Sequence, residues 1–334
     1  MDHWRPHNAV FEGHYAKFLL PSGASIALIV STVPEAPTKP HMVSFNYVRR
    51  NPFEVFQREI WVEKIERIWS KSSKDFELRI PGLGYWKGYA DATNEYLIEN
   101  EEFSFRARTS SQTPWSTRNN TPEGLLVHLP LPLHWHVHSL SSETTFSLNL
   151  PSSVATPKSD INGLATVHEE KNWAHSFPKA HIWIQAREGK RGFSCAGGKI
   201  LGMDAFLLGY RNGHMEIDFK PPFTVQVYGF SPFISTTVDW PNRSFSLNVQ
   251  SISHKLHIVA KAPLGTFFSL SSPFPEGHRE NYLAQSFEAS LDIQVYERLW
   301  TGGWKHSQSD RFENAALEFG GAFYPPAGTE KRSH

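Results

Sequence analysis

Glu170, Lys171, Asn172 and Trp173 stand in a row, and the window around them, His168–Gln185, reads HEEKNWAHSFPKAHIWIQ. It gathers acid, ammonium, amide, imidazole and indole groups into one short stretch. The polar groups alone would suit a surface turn. Trp173, Phe177, Trp183 and Gln185 beside them suit a partly buried pocket, because large aromatics gain most from leaving water. Desolvation raises the pKa of a carboxyl group in such a place, and its neutral form can then donate a proton. Glu170 is the acid best placed for that work. Side chains alternate across a strand, so His168, Glu170 and Asn172 are expected on one face and Lys171 on the other. An ion pair between Glu170 and an arginine, pinning a domain seam, explains the same residue equally well.

His134, His136 and His138 form a second set. Their spacing puts all three on one strand face, with Trp135 and Val137 on the other. They read as the polar wall of a pocket, with an exposed histidine-rich edge as the plainer alternative. His136-x-His138 followed by Glu143 imitates a metal-binding spacing. Pro130 and Pro132 stand where a glycine-led approach would be expected, so no metal is assigned. Glu12 and Glu318 are further candidate acids, near chain ends that often meet in space. His14 beside Glu12 is a candidate base, with a hydrogen-bonded ring that merely fills the space as the plainer account. Asn172 and Gln185 are candidates to hold a substrate oxygen, although most buried amides serve the backbone.

Several of these residues fall into one ordered pattern. Phe11-Glu12-Gly13-His14-Tyr15 opens it and His134-Trp135 follows. Glu170-Lys171-Asn172-Trp173, Phe177-Pro178, Trp183 and Gln185 come next, and Glu318-Phe319-Gly320-Gly321 closes it. In these motifs the chain resembles the tocopherol cyclase family over nearly its whole length. It departs from the pattern with His14 for a Trp, Ala174 for a Gly, and Ala186-Arg187 after Gln185. The resemblance implies an all-β fold of two lipocalin-like β-barrel or sandwich halves, with a ligand pocket near their interface. It also implies cyclisation of a prenylated phenol to a chromane or dihydrofuran ring, without a cofactor. An alkene accepts a proton in that reaction while the phenol oxygen attacks the more substituted carbon. Glu170 is then the first choice of donor, with Glu12 and Glu318 behind it. His134 or His136 orients or deprotonates the phenol. Trp173, Trp183, Asn172, Gln185, His14 and His168 make the substrate wall. An indole face is worth about 2 kcal/mol to a desolvated cation, or about 1.5 log units of rate. Core packing is the plainer account of at least one of the two tryptophans. Hydratases and pericyclases acting on polyenes, and a carrier without turnover, fit the same landmarks.

Composition narrows the partners. Basic and acidic residues number 33 each, which argues against nucleic acid, since phosphate binding wants a basic excess. The single cysteine, Cys195, rules out an internal disulfide framework and suits a reducing, cytoplasmic setting. The N-terminus lacks a signal peptide's basic and apolar regions. The best apolar run, Ala24–Val33, falls short of the ~20 residues that span a bilayer. No glycine-rich phosphate loop and no Gly-x-Ser-x-Gly elbow occurs, and nothing suggests flavin, NAD or haem. The expected partner is a small apolar aromatic or prenylated substrate.

The elements that must position these groups read as many short strands with proline- and glycine-rich turns, the pattern of a sandwich or barrel. Phe53–Trp69 fits a helix as well as a strand, and Leu125–Leu129 fits a strand. Pro151–Asp160, small and polar, is the expected seam between domains 1–150 and 151–334.

Overall fold

The computed structural model describes Trp4, residues 6–118 and residues 120–324. Strands make up 61% of the chain and helix 3%, so the all-β expectation holds. The chain forms two units. The first runs to Ser176 and takes in Pro273–His278; the second holds Phe177–Ser272 and continues from Arg279.

The first unit contains β1 (Phe11–Leu19), β2 (Ser25–Thr32), β3 (His41–Arg49), β4 (Glu54–Trp61), β5 (Glu66–Trp69), β6 (Phe76–Ile80), β7 (Gly84–Gly88), β8 (Asn94–Glu99), β9 (Ser104–Thr109), β10 (Leu133–Asn149) and β11 (Asn162–Ala174). They form one antiparallel sheet in the order β4-β3-β2-β1-β11-β10-β9-β8-β7-β6-β5. The last strand thus enters between the first and the tenth. Alternate residues point to a shared core: Ala16 and Phe18 from β1, Ile26, Leu28 and Val30 from β2, Phe45 and Tyr47 from β3, Phe105 from β9 and Phe146 from β10. Each such large side chain contributes about 1.5–3 kcal/mol by leaving water.

The second unit contains β12 (Ala180–Glu188), β13 (Arg191–Ile200), β14 (Met203–Asn212), β15 (Met215–Phe219), β16 (Val225–Val227), β17 (Ile234–Asp239), β18 (Ser244–Gln250), β19 (His254–Lys261), β20 (Phe268–Phe274), β21 (Gly277–Arg298) and β22 (Trp304–Gly321). Its sheet runs β15-β14-β13-β12-β22-β21-β19-β18-β17, with β16 on β14 and β20 on β21. Its core is almost wholly apolar, with Ile182, Ile184, Phe193, Leu208, Phe245, Ile258, Leu291 and Phe319 packed together. The two units are the lipocalin-like halves that the fold class called for.

Three local expectations change. The division falls after Ser176, not at Pro151–Asp160, because β11 pairs along its length with β1 and β10. The polar stretch is a tied loop of the first unit: Asp160 accepts hydrogen bonds from Ser22 Oγ at 2.5 Å and from Tyr47 at 3.0 Å. Phe53–Trp69 is two strands, as its β-branched and aromatic content allows. Gly124–His128 is a short 3-10 turn rather than a strand, since Pro130 and Pro132 cannot donate to a ladder.

β10 is irregular where it meets β11. Its register shifts between Val137 and Ser139 and again between Ser139 and Ser142. Among the described residues no helix is long and apolar enough to cross a membrane.

Candidate active site

Opposed residues of antiparallel strands point the same way, so the register of β1, β11 and β10 fixes which groups share a face. Glu12, Trp173 and His134 form one row across the three strands. His14, Lys171 and His136 form the next. Ala16, Glu169 and Ser139 follow. Ala16 belongs to the hydrophobic core, so this is the inward face of the first unit. The other face holds Gly13, Asn172 and Trp135 in one row and Tyr15, Glu170 and Val137 in the next. Gly13 leaves room for the Asn172 amide, which would have to shift for a Cβ, since that atom would fall 2.4 Å from Asn172 Oδ1.

The inward rows are dense in charge and nearly dry. Lys171 Nζ lies 3.4 Å from Glu12 Oε2, and Arg67 Nη1 reaches the same oxygen at 3.4 Å. The His7 backbone N–H donates to the other oxygen, Glu12 Oε1. A carboxylate buried with two cations and a donor is compensated. His134 Nδ1 lies 2.8 Å from Oε2 of the fully buried Glu123, whose Oε1 accepts the Trp135 backbone N–H at 2.6 Å. The carboxylate therefore fixes the imidazole and leaves Nε2 for chemistry. Trp173 stacks with His134 at 4.9 Å and with His7 at 4.0 Å. Its π-system is thus engaged by imidazoles, which weakens the expected role as a platform for a carbocation.

Burial holds His136, His138 and His14 neutral. It pushes His136 well below the ordinary imidazole range, with His138 and Lys171 adding to the effect. It lowers His138 to about 4. His14 is also held well below, by burial first and then by Lys171 and Arg67. The histidines do not converge: His134 faces Glu123, while His138 Nε2 meets the Ala92 carbonyl at 3.2 Å. Among the described residues no group of three or more such ligands could hold a metal ion.

Glu169 in the third row was not singled out by the sequence. It is fully buried and accepts hydrogen bonds from Tyr96 and, at 3.0 Å, from Ser142 Oγ. Burial pushes its carboxyl up to about 7, against the opposing pull of these bonds. A desolvated, proton-holding acid thus stands at Glu169, one residue before the acid singled out from the sequence.

Glu170 faces the opposite way from His134 and His136, so the three cannot act as one acid–base set from a single face. It accepts the Trp135 indole N–H and lies 3.6 Å from His168 Nε2. The remaining candidates belong to the second unit. Trp183 opposes Glu318, and Gln185 opposes Ala316, on the face away from the Ile182–Ile184 core. Glu318 bonds His181 Nε2 at 2.7 Å and Gln285 Nε2 at 3.0 Å. Gly320 makes room for that imidazole, since a Cβ there would lie 1.8 Å from its Cε1.

The signals missed were of two kinds. Glu123 lies in an irregular polar stretch with no periodicity to read. Glu169 lies beside a more conspicuous acid, and only the register of β11 decides which of the pair looks inward.

Fold comparison agrees with this architecture. No known family's sequence pattern matches the chain, and no curated protein sequence does. Among solved structures, CghA with Sch210972 superposes with a TM-score of 0.59 at 10% identity, over 93% of this chain and 88% of that one. Kievitone hydratase from Nectria haematococca gives 0.58 at 7% identity, over 96% and 92%. An AttH protein from Nitrosomonas europaea gives 0.53 at 11% identity, over 96% and 95%. At such identities the likeness is one of fold.

Proposed function

We propose that the chain is an enzyme that adds an oxygen nucleophile across a carbon–carbon double bond of a small apolar aromatic substrate. The nucleophile is the substrate's own phenolic hydroxyl, so the reaction is an intramolecular cyclisation to a chromane or dihydrofuran. The observation behind this reading is the inward face of β1, β11 and β10, where an oriented imidazole and a proton-holding carboxyl group share one dry surface. The reaction is redox-neutral, so it needs no redox cofactor.

His134, fixed by Glu123, takes the phenol proton on Nε2. Glu169 gives a proton to the alkene carbon. The π bond breaks, one C–H and one C–O bond form, and the product is an isomer of the substrate. Proton exchange with solvent restores both groups. Glu12 is the weaker choice of donor because two cations already pair with it. Glu170 and Glu318 lie outside this face. Positioning of oxygen and alkene in one pocket supplies much of the rate and selects one enantiomer.

Water as the nucleophile is the second reading. One similar fold carries the name hydratase, and an oriented base activates water as readily as a phenol. One experiment separates the two: incubate the protein with a panel of prenylated phenols in deuterated water and analyse the products by mass and chiral separation. A single enantiomer of equal elemental composition, with one deuterium on carbon, supports cyclisation. A product heavier by one water supports hydration. No product from any member would sink both.

A further inference from the structure

Trp4 is buried inside the first unit, yet it is not part of the strand framework. Residues 6–10, which link it to β1, form neither strand nor helix. Its indole stacks with His14 at 5.6 Å and Phe76 at 5.5 Å, and meets His138 at 4.6 Å and Trp86 at 5.8 Å. These four rings come from β1, β6, β10 and β7 and would surround the same volume without it.

That wall is not ordinary core. Two of its four rings are imidazoles. His14 engages the Val30 backbone through one ring nitrogen, while its buried Nε2 has no hydrogen-bond partner among the described residues. A neutral imidazole whose other nitrogen holds the proton presents Nε2 as a bare acceptor. The indole stacked beside it leaves that acceptor unused. Close-packed interiors rarely orphan a polar atom, and such an atom is most simply explained by a donor that belongs there.

We propose that the volume filled by Trp4 is a binding site for a planar hydroxylated ring of about indole size, with Trp4 as its exchangeable occupant. The ligand ring packs on Phe76 and Trp86, and its hydroxyl donates to His14 Nε2. In the substrate described above this is a second ring hydroxyl, distinct from the one whose proton His134 takes, and the site rests on that reading only for the ring's phenolic character. Binding requires no turnover, so failure of the site and failure of the catalytic reading are separate results.

The test uses the full chain and 2-naphthol, with indole as the ring that lacks a hydroxyl. Calorimetric titration compares wild type, Trp4→Ala and the double variant Trp4→Ala/His14→Phe, each checked for an unchanged β circular-dichroism spectrum. Trp4→Ala is expected to bind 2-naphthol at least tenfold more tightly than wild type, since its occupant is gone. Adding His14→Phe should weaken 2-naphthol about tenfold and leave indole within threefold. Hydrogen exchange on the wild-type chain gives an independent reading: 2-naphthol should accelerate exchange across residues 6–10 as the indole is displaced. Equal 2-naphthol affinity in wild type and folded Trp4→Ala overturns the proposal. Unchanged or slowed exchange at residues 6–10 in saturated wild type also overturns it.

Discussion

The two units use the same antiparallel meander and send their polar residues to opposite faces. In the first, the inward side of β1, β11 and β10 presents Glu12, His14, Lys171, His134, His136 and Glu169 beside the core. In the second, the inward side of β12 and β22 presents Ile182, Ile184, Leu317 and Phe319, and the histidine–carboxylate pair His181–Glu318 lies on the outer face. Each unit therefore has an imidazole held by an acid, fully buried at Glu123 and half-buried at Glu318. They differ in what surrounds it. His134 stands among charges and neutral histidines in a barrel-like interior. His181 is wedged over Gly320 with Phe177 edge-on at 5.2 Å. A dyad alone does not make a catalytic site, and the two dyads stand in different surroundings.

The largest test of that contrast is kinetic. His134→Ala should lower kcat/KM on the accepted phenol by about 10²–10⁴, the usual scale for a lost general base. His181→Ala should cost under about tenfold. Comparable losses in both variants would end the division of labour. The next test is thermodynamic. Phe245→Ala in the apolar interior of the second unit should cost about 3–5 kcal/mol in denaturant unfolding. Turnover per folded molecule should survive it.

Glu169 sharpens the comparison through pH. Its folded carboxyl titrates at about 7, above the ordinary carboxyl value of 4.5. The folded state therefore binds the extra proton between those values, and stability falls as pH rises through that window. The span corresponds to on the order of 3 kcal/mol. Glu169→Gln should flatten this slope and reduce turnover, while Glu170→Gln should preserve both the slope and the turnover. Equal effects from the two variants would return the acid to Glu170. In the opposite direction, His138 has its folded value depressed to about 4, so it resists protonation in the folded state. Stability is lost as pH falls from about 6.5 toward that value, and wild-type unfolding followed against acid should show it.

Smaller effects finish the series. Gly320→Ala should cost about 1–3 kcal/mol by driving a methyl group into the His181 ring. Thermal unfolding measures it, and no change would mean that the imidazole moves freely. Arg311→Ala, which removes exposed pairs with Asp292 and Glu313, should change stability by less than about 1 kcal/mol.

Much of this arrangement was legible in the amino-acid order. Alternation alone grouped His134 with His136 and set Lys171 against Glu170. The opening motif pointed to Glu12 and His14. The choice of face was not legible, because a two-residue period fixes which side chains travel together and not which side meets the core. Glu170 was favoured over Glu169 for that reason, and its imagined partnership with His134 fails by the thickness of a sheet. Glu123 and Trp4 gave no signal, since both come from irregular segments whose positions are set by tertiary packing. Asp160 misled in the other direction, because a polar, proline-containing stretch resembles a linker until its bonds to Ser22 and Tyr47 are seen.

The uneven register of β10 also bears on how such a site survives insertion and deletion. From Val137 to Ser142 the strand takes five steps while β11 takes three, from Glu170 to Val167, so β10 has two residues to spare. A strand has parity, and an even surplus leaves it intact. His134 and His136 therefore stay in phase with Phe146 and Leu148 across the irregularity. Losing both surplus residues would shorten the ladder and keep the histidines inward. Losing one would turn His134 and His136 outward while the distal core stayed in place. Length variation in this stretch is thus permitted in pairs, and an odd change would erase the chemistry of the face without unfolding the barrel.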